Sequence, residues 1–226
     1  MRNKHTAVNY YEYPDLKKRQ NPKKNSKVYP FLKRVIDIVG SIAALVVLSP
    51  LLLVVMLLVK LDSKGPVLFI RKRCGKDGKL FNMYKLRSMC AEAEEKLNQI
   101  QHLNEANGFM FKIKDDPRLT RIGKFIRKTS IDEIPQLLNV LKGEMSLVGP
   151  RPPLPNEVEK YSKRHKLRLS VKPGLTGLWQ ISGRSNLGFD DMVRLDLKYI
   201  SERNLFYDLK IIVKTIPAVL RSYGAY

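Results

Sequence analysis

The longest apolar pattern in the chain lies between Ile42 and Val59, where every residue is apolar except Ser49 and Pro50. These eighteen residues reach the minimum length of a helix that crosses the hydrocarbon core of a bilayer. The run starts too late for a cleaved signal peptide, and no small-residue cleavage site follows it. It is also more hydrophobic than a helix of a soluble core needs to be. The pattern therefore predicts a membrane helix over residues 31–62.

A proline inside this run favours a helix that turns back over one that crosses the membrane. Pro50 has no backbone N–H to donate, which bends or breaks a helix, and the hydroxyl of Ser49 can satisfy the carbonyl left free. Lysines and arginines flank the run on both sides, and positively charged flanks stay in the cytoplasm. A helix–break–helix that enters and returns keeps both flanks there. This re-entrant path is our prediction, with a kinked single span as the alternative.

The rest of the chain predicts an α+β fold that is mostly helical. Strand-like runs at 67–73 and 79–86, joined by the turn sequence GKDG, predict a small β-hairpin. Loops are expected in three glycine- or proline-rich segments: NGFMFKIKDDPRLT, LVGPRPPLP and VKPGLTGLWQISGRSN. Helices are expected at 89–103, 131–141, 156–169, 190–203 and 206–221.

Three regions follow from these patterns. Residues 1–30 form a polar, basic arm. Residues 31–62 form the membrane helix, and residues 63–226 form one domain large enough for its own core. The last predicted helix combines apolar residues with lysines and contains Pro217, which should bend it. Such an amphipathic helix suits a membrane interface as well as a core.

Charge adds a class of partner to this picture. The chain has 42 Lys and Arg against 21 Asp and Glu, a net charge of +21, which predicts nucleic acid, anionic lipid or phosphorylated substrates as neighbours. Cys74 and Cys90 are its two cysteines, so no disulfide framework is expected and an intracellular setting is favoured. The three histidines are scattered, and any metal should therefore be a hard ion bound by oxygen.

Two adjacent carboxylates in the segment TSIDEIPQLL are the main chemical candidates. Asp132 and Glu133 can simply begin a helix, because Ser130 followed by Glu133 three residues later is a capping-box pattern. A helix start also presents free N–H groups that favour phosphate, and carboxylates placed there can bind Mg²⁺ or act as nucleophiles. The local residues alone leave both interpretations open.

Basic and aromatic residues in three further segments are weaker candidates. Prolines on both sides of Arg151 stiffen the backbone and suit it to bind phosphate, although an ordinary turn is equally compatible. Strand alternation places Lys85 and Arg87 on one face, which is either functional or simply exposed. Trp179 lies between glycines, where it either contacts a ligand or anchors the loop.

The order of these motifs resembles the bacterial sugar transferase family, the monotopic polyprenyl-phosphate phosphoglycosyl transferases. The resemblance covers about residues 30–222. It is carried by the Ser-Pro interruption of the apolar run, FNMYKLRSM, RKTSIDEIPQLLNVLKGEMSLVGPRP and KPGLTGLWQISGR. Larger family members carry additional transmembrane helices and a soluble domain before this region. The chain therefore looks like a minimal, catalytic-core form.

The resemblance implies that the protein transfers a sugar-1-phosphate from a UDP-sugar to polyprenyl (undecaprenyl) phosphate and releases UMP. In the family this is the first membrane step of exopolysaccharide, capsule, O-antigen or glycoprotein glycan synthesis. The resemblance implies Mg²⁺ as cofactor and the bacterial inner membrane as location, with the catalytic domain on the cytoplasmic face among anionic lipids. Nucleic acid is not an implied partner, and a homodimer is one option for the oligomeric state.

The resemblance also implies roles for individual residues. Asp132 is the implied nucleophile, which forms a phosphosugar–aspartate intermediate, and Glu133 is implied to share a Mg²⁺ with it or to assist the incoming phosphate. The other implied roles are phosphate binding by Arg127, Arg151 and Lys85, support by Asp196 and Asp208, and the membrane-helix break at Ser49 and Pro50.

A non-enzymatic protein is the competing hypothesis. A membrane-anchored basic adaptor or a nucleic-acid-binding protein would also need positive charge and an apolar anchor. It has no use for a carboxylate pair among basic residues, and the sequence shows no aromatic RNA-binding motif. Within the enzyme hypothesis, the loop at 174–188 is predicted to select the sugar donor, whose identity the sequence does not specify.

Overall fold

The computed structural model describes residues 28–104, 113, 115–184 and 187–220. Within them the predicted α+β class is confirmed, because the protein is mostly helical and carries one small antiparallel hairpin. The predicted arm lies outside the described residues except for 28–30, which belong to the first helix. In chain order the elements are α1 (Val28–Asp62), β1 (Leu68–Cys74), β2 (Leu80–Leu86), α2 (Arg121–Lys128), α3 (Gln136–Lys142), β3 (Ser146–Val148), α4 (Pro155–Glu159), α5 (Lys163–Lys166), β4 (Gly174–Thr176), α6 (Leu178–Ile181), α7 (Phe189–Glu202) and α8 (Leu205–Leu220).

The membrane helix α1 runs through its proline without the predicted break. Pro50 lies inside a helix of 35 residues. Its missing N–H would have bonded the carbonyl of Val46, and the hydroxyl of Ser49 donates to that carbonyl instead, at 2.8 Å. The predicted use of the serine is therefore confirmed, whereas the helix–break–helix is replaced by a continuous helix. The re-entrant path stays a prediction.

The first half of α1 is fastened to the domain by two charged side chains. Arg34 donates to two carbonyls in the last turn of α3, at 2.6 and 2.7 Å. Asp37 is buried and accepts hydrogen bonds from the hydroxyl of Ser146 and the amide of Leu147, both at 2.9 Å. Because the end of a helix leaves its carbonyls without partners, Arg34 caps α3 while it holds α1 in place.

The second half of α1 is fastened to the same domain. Arg87 follows β2 and donates to three carbonyls at the end of α1 and just beyond it, at 2.6 to 3.1 Å. Asp62, the last residue of α1, accepts from the amide of Ile122 at the start of α2, at 3.0 Å. Val55 and Val59 are buried in an apolar cluster with β2 and α2. Both ends of the apolar helix thus rest on one domain.

The middle of α1 covers almost nothing. Its most hydrophobic window is only 11% buried, and its length and composition are those of a membrane-associated helix. Large apolar side chains exposed at this density would not be stable in water, and they indicate a lipid environment. The exposed ones between residues 42 and 61 are Ile42, Val46, Val47, Leu51, Leu53, Val54, Leu57, Leu58 and Leu61.

A second exposed apolar surface lies on α8. The buried face of this helix carries Asp208 and Ile211, whereas its exposed face carries an apolar stripe with a spacing of three and four residues. This agrees with the predicted amphipathic helix, with the difference that the apolar residues face outward. The stripe consists of Phe206, Leu209, Val213 and Ile216.

Asp208 belongs to the scaffold that joins α8 to α1. Its carboxylate accepts from the hydroxyl of Tyr29 and the amine of Lys33 on α1, both at 2.9 Å. It also accepts from the hydroxyl of Tyr199 on α7, at 2.8 Å. The structure thus gives the predicted supporting residue a place at a three-helix junction.

Several predicted elements need correction. The hairpin, α7 and α8 lie within one or two residues of their predicted bounds. Two predicted loops instead contain β3, β4 and α6, and β3 pairs in parallel with β4. Gly174 permits this pairing, because a side chain there would lie 2.0 Å from the amide of Gly149. The segment 89–103 forms turns and a 3₁₀ helix (Glu95–Leu103) rather than an α-helix, and 156–169 is divided between α4, α5 and the start of a 3₁₀ turn (Leu167–Ser170).

Helix α2 was not predicted. It is stabilised by a local cap at its start and by a close approach of its backbone to the end of β2. Thr120 precedes it and accepts from the amide of Gly123 at 2.9 Å. A side chain at Gly123 would lie 1.9 Å from the carbonyl oxygen of Ser88, so glycine allows α2 to pack directly against the end of β2. This contact positions the segment that follows α2.

The attachment of α1 by Arg87 is testable. We expect Arg87→Met to lower the free energy of unfolding by about 2–4 kcal/mol, because it removes three hydrogen bonds from a charged donor to carbonyls at the end of α1 and just beyond it. Thermal unfolding in detergent micelles measures the change. Arg71→Met, at an exposed position on β1, is the matched control and should change stability little. Equal stability of the two variants would contradict the attachment.

Candidate active site

The two carboxylates lie in a 3₁₀ turn, Ile131–Glu133, between α2 and α3. Ser130 precedes the turn with φ of 58°, a left-handed conformation that is uncommon for residues other than glycine. Its side chain makes no capping bond, and its hydroxyl accepts from Arg184 at 3.2 Å. The predicted capping box is therefore wrong. Because α3 begins only after Pro135, the pair also lies outside the helix start on which the phosphate interpretation relied.

Lys85 bridges the two carboxylates. Its amine lies 2.7 Å from Oε1 of Glu133 and 3.3 Å from Oδ2 of Asp132. Asp132 is buried, whereas the side chain of Glu133 retains 39% of its exposure. The alternative that Lys85 lies on a simply exposed face of the hairpin is therefore wrong. Arg87, two residues along, has the separate task of capping α1.

The environment pushes the two carboxylates in opposite directions. Burial raises the pKa of Asp132, and the negative charge of Glu133 adds to this effect against Lys85 and Arg127. Burial also disfavours the charged form of Glu133, but Lys85 outweighs burial and lowers the pKa of this carboxyl. Burial likewise opposes the charge of Lys85, yet the two carboxylates raise its pKa and keep it cationic. Such divergence allows two neighbouring carboxylates to take different roles.

Three arginines add positive charge around the pair. Arg127, at the end of α2, donates from Nε to the hydroxyl of Ser88 at 3.1 Å, and its charge acts on both carboxylates. The charges of Arg151 and Arg184 act on Glu133. All three line one cleft with the pair, and the cleft has a volume of about 2250 Å³. The predicted phosphate-binding residues Lys85, Arg127 and Arg151 are thus brought together.

Sequence reasoning missed Arg184. It adopts a left-handed conformation with φ of 49° and bonds to Ser130, which is also left-handed. The glycine-rich segment that carries Arg184 was noticed, but no local pattern connects it to a residue 54 positions earlier. Trp179 from the same segment is 7% exposed and belongs to the main core, which favours the anchor interpretation of this side chain.

Asp196 lies behind the site and not in it. It forms a fully buried ion pair with Arg168, with nitrogen–oxygen distances of 2.7 and 2.8 Å. Arg168 also donates to the hydroxyl of Tyr161 at 2.7 Å and to the carbonyl of Arg151 at 3.3 Å. Asp196 therefore supports the site indirectly, because it fixes the arginine that holds the backbone of Arg151.

The donor set fits a hard cation. Within the described residues no group of three His, Cys, Asp or Glu side chains could hold a metal ion, and the candidate ligands in this part of the chain are the two carboxylates Asp132 and Glu133. Mg²⁺ is commonly bound by one or two carboxylates together with substrate phosphates and water. The amine of Lys85 between the same two carboxylates shows that the pair attracts a cation.

The cleft joins this charged site to apolar walls. One face of α1 lines it at intervals of three or four residues, and α8 contributes four more apolar residues. The cleft therefore combines a charged end with apolar walls formed by α1 and α8. The lining residues are Ile36, Gly40, Ala44, Leu48 and Leu51 from α1 and the apolar Leu209, Ile212, Ile216 and Val219 from α8.

Comparison with known proteins establishes the family. The family model described as bacterial sugar transferase matches residues 28–222. The chain therefore belongs to the bacterial sugar transferases, and the resemblance predicted from the motifs is confirmed.

Individual relatives align over most of this chain. It is 50% identical over 194 residues to the galactosyl transferase CpsE of Streptococcus agalactiae and 46% identical over 200 residues to the undecaprenyl-phosphate galactose phosphotransferase of Salmonella typhimurium. These alignments cover 85% and 87% of this chain but 43% and 42% of the two relatives. The chain is 42% identical over 198 residues to the exopolysaccharide production protein ExoY of Rhizobium meliloti, covering 86% of this chain and 88% of that protein.

The buried pair behind the site generates a prediction about stability. We expect Asp196→Ala to lower the free energy of unfolding by about 3–5 kcal/mol, because it leaves the buried guanidinium of Arg168 without its carboxylate. Asp191→Ala is the control on the same helix, since Asp191 pairs with Arg194 at the surface and should cost less than about 1 kcal/mol. Unfolding midpoints measure both. Equal losses would contradict the structural role.

Proposed function

We propose that this protein is a phosphoglycosyl transferase. It moves a sugar-1-phosphate from a UDP-sugar to polyprenyl phosphate, usually undecaprenyl phosphate, and releases UMP. The observation that carries the proposal is the position of Asp132, buried beside Lys85 in a cleft lined by Arg127, Arg151 and Arg184. The relatives named as undecaprenyl-phosphate galactose and glucose phosphotransferases support it.

The chemistry follows from the carboxylates in two steps. In the first, an oxygen of Asp132 attacks the sugar-bearing phosphorus, the bond from this phosphorus to the UMP oxygen breaks, and UMP leaves with the electron pair. In the second, an oxygen of the lipid phosphate attacks the same phosphorus, and the carboxylate of Asp132 is released. A covalent intermediate divides one difficult transfer between anions into two easier transfers.

The basic residues make this attack possible. A carboxylate and a diphosphate repel each other, and the arginines around Asp132 offset that repulsion while they hold the phosphate oxygens. Lys85 keeps Glu133 charged and fixes its position beside Asp132. A basic adaptor without catalytic activity would have no use for a buried carboxylate at the centre of these cations.

Magnesium is the cofactor of this proposal. Asp132 and Glu133 would hold it, with phosphate oxygens and water as the remaining ligands. When bound, Mg²⁺ neutralises negative charge on the phosphoryl groups. Asp132 and Glu133 would supply the oxygen ligands that this ion prefers, and the contacts of Lys85 with both carboxylates support a preference of the pair for cations.

The apolar walls of the cleft suit the acceptor. A polyprenyl chain can lie against α1 and α8 while its phosphate reaches the charged end of the cleft. The attachment of both ends of α1 to one domain supports a continuous helix that bends at Pro50 in the membrane and returns to the face from which it entered. The catalytic domain then lies on the cytoplasmic face of the inner membrane, where the net charge of +21 attracts anionic lipid.

The enzyme assay is release of UMP from a panel of UDP-sugars in the presence of polyprenyl phosphate and Mg²⁺. We expect Asp132→Asn to lower the rate at least about 10³-fold, because the amide cannot act as the nucleophile. Labelled UMP should exchange into the UDP-sugar without acceptor for the wild type and not for this variant. Chelation of Mg²⁺ should stop both reactions.

The matched control is Asp77→Asn, a surface carboxylate in the hairpin turn, which should keep wild-type rates. Unchanged activity of Asp132→Asn would exclude it as the nucleophile. If the wild type released UMP from no UDP-sugar in the panel, the proposal of an enzyme would be wrong.

The path of α1 has its own test. Single cysteines replace the exposed Phe31 and Lys64 in a background without Cys74 and Cys90. We expect both to react with an impermeant maleimide only after the cell membrane is permeabilised, because both ends lie on the cytoplasmic side. Reaction of one of the two in intact spheroplasts would establish a helix that crosses the membrane.

A further inference from the structure

Arg73 is a cationic residue of the cleft that the proposed transfer reaction does not use. It lies near the end of β1 and donates from Nη1 to the carbonyl of Pro152 at 3.2 Å. Its Nε atom is buried and has no hydrogen-bond partner in the described part of the chain. Arg73 lines the same cleft as Asp132 and Glu133. A buried donor on a charged side chain without a partner indicates a ligand that the free protein lacks.

Arg151 presents the same feature beside it. Nη1 of Arg151 is also buried without a hydrogen-bond partner, and its carboxylate neighbour, Glu157, is 3.7 Å away, beyond hydrogen-bond distance. The Glu157 oxygen at that distance already accepts from the amide of Leu154 at 3.0 Å. Glu157 and Glu133 both act on the charges of Arg73 and Arg151, but neither carboxylate accepts a hydrogen bond from these guanidiniums within the described residues.

The energetics of Arg73 agree with this geometry. Burial and the positive charge of Arg151 lower the pKa of Arg73 to about 9, far below the usual value for arginine. When folding lowers the pKa of a basic group, the charged group destabilises the folded protein at every pH below the folded pKa. The reason is that the unfolded chain binds the proton more strongly. At neutral pH the free protein therefore holds this charge at a loss of stability, which an anion would offset.

A purely structural role accounts poorly for these contacts. One hydrogen bond to Pro152 needs only a neutral donor, and a second guanidinium beside Arg151 destabilises the pair by repulsion. A solvated surface arginine would expose its Nε, as the neighbouring Lys72 exposes its side chain.

We propose that Arg73 and Arg151 together form an anion subsite that binds a phosphoryl group next to the Asp132–Glu133 pair. The inference rests on the proposed function and extends it by one residue and one subsite. Guanidinium groups bind phosphate through several N–H donors, and Arg73 and Arg151 each hold a buried donor that has no partner among the described residues. The phosphoryl group belongs either to the nucleotide, as in UMP, or to the lipid acceptor.

The experiment measures binding to the full chain in lipid nanodiscs. The probes are UMP, inorganic phosphate and the short-chain acceptor farnesyl phosphate. Calorimetry measures the dissociation constant of each. We expect Arg73→Met to weaken at least one phosphoryl probe by at least about tenfold, equivalent to one lost charge-assisted hydrogen bond. Arg73→Lys keeps the charge without the planar fork and should fall between Arg73→Met and the wild type. Lys72→Met, at the next position on the same strand, should bind like the wild type.

The pattern of losses identifies the source of the phosphoryl group. Weakened UMP with unchanged farnesyl phosphate assigns the subsite to the nucleotide, and the reverse pattern assigns it to the acceptor. Weakening of both, together with inorganic phosphate, indicates a subsite used in both steps.

Stability without any probe separates this inference from a structural role. We expect Arg73→Met to be at least as stable as the wild type, because it removes a disfavoured buried charge. A destabilised variant that binds all three probes like the wild type would overturn the subsite. These measurements do not depend on turnover, so a wild type that binds phosphate through Arg73 but releases no UMP would refute the proposed function and leave the subsite standing.

Discussion

Capping of helix ends by arginines is the interaction on which the architecture depends. Arg34 on α1 satisfies the last carbonyls of α3, and Arg87 after β2 satisfies those of α1. The last carbonyls of a helix have no partners within the helix, and each arginine supplies donors at such an end. The membrane helix and the domain therefore stabilise each other. Together with the buried Asp37 and the contacts of Val55 and Val59, the two arginines fix the position of α1 relative to the carboxylates. The cleft forms because these contacts hold α1 against the domain, so that one face of this helix forms a wall of the cleft.

Charge around the carboxylates is distributed unevenly, and this determines what the cleft can accept. Lys85 is paired with both Asp132 and Glu133, whereas Arg73 and Arg151 retain donors that the described residues do not use. A substrate with several negative charges can therefore contact both the paired Lys85 and the arginines with unused donors. The carboxylate pair provides the reactive oxygen, and the guanidiniums provide binding.

Local patterns predicted some elements well and others poorly, for a physical reason. The hairpin, α7 and α8 follow from alternation and periodicity within their own segments, and they were predicted within one or two residues. The capping box at Ser130 was wrong because the conformation of that residue is tied to Arg184, 54 positions later. Asp208 and Asp196 likewise bond to residues more than 20 positions away, which no local pattern reveals. The motifs did place Lys85, Arg127, Arg151 and the carboxylates in one site, because their order identified the family.

Two residues beside the carboxylates, Ser130 and Arg184, adopt left-handed backbone conformations and are joined by a hydrogen bond. For residues other than glycine, a left-handed conformation costs roughly 1–3 kcal/mol of conformational free energy each, so surrounding contacts must hold both residues in it. The turn that carries Asp132 is consequently preformed before any substrate binds. Binding then spends little conformational entropy on arranging the reactive group, and more of the interaction with the substrate is left to lower the barrier of the reaction.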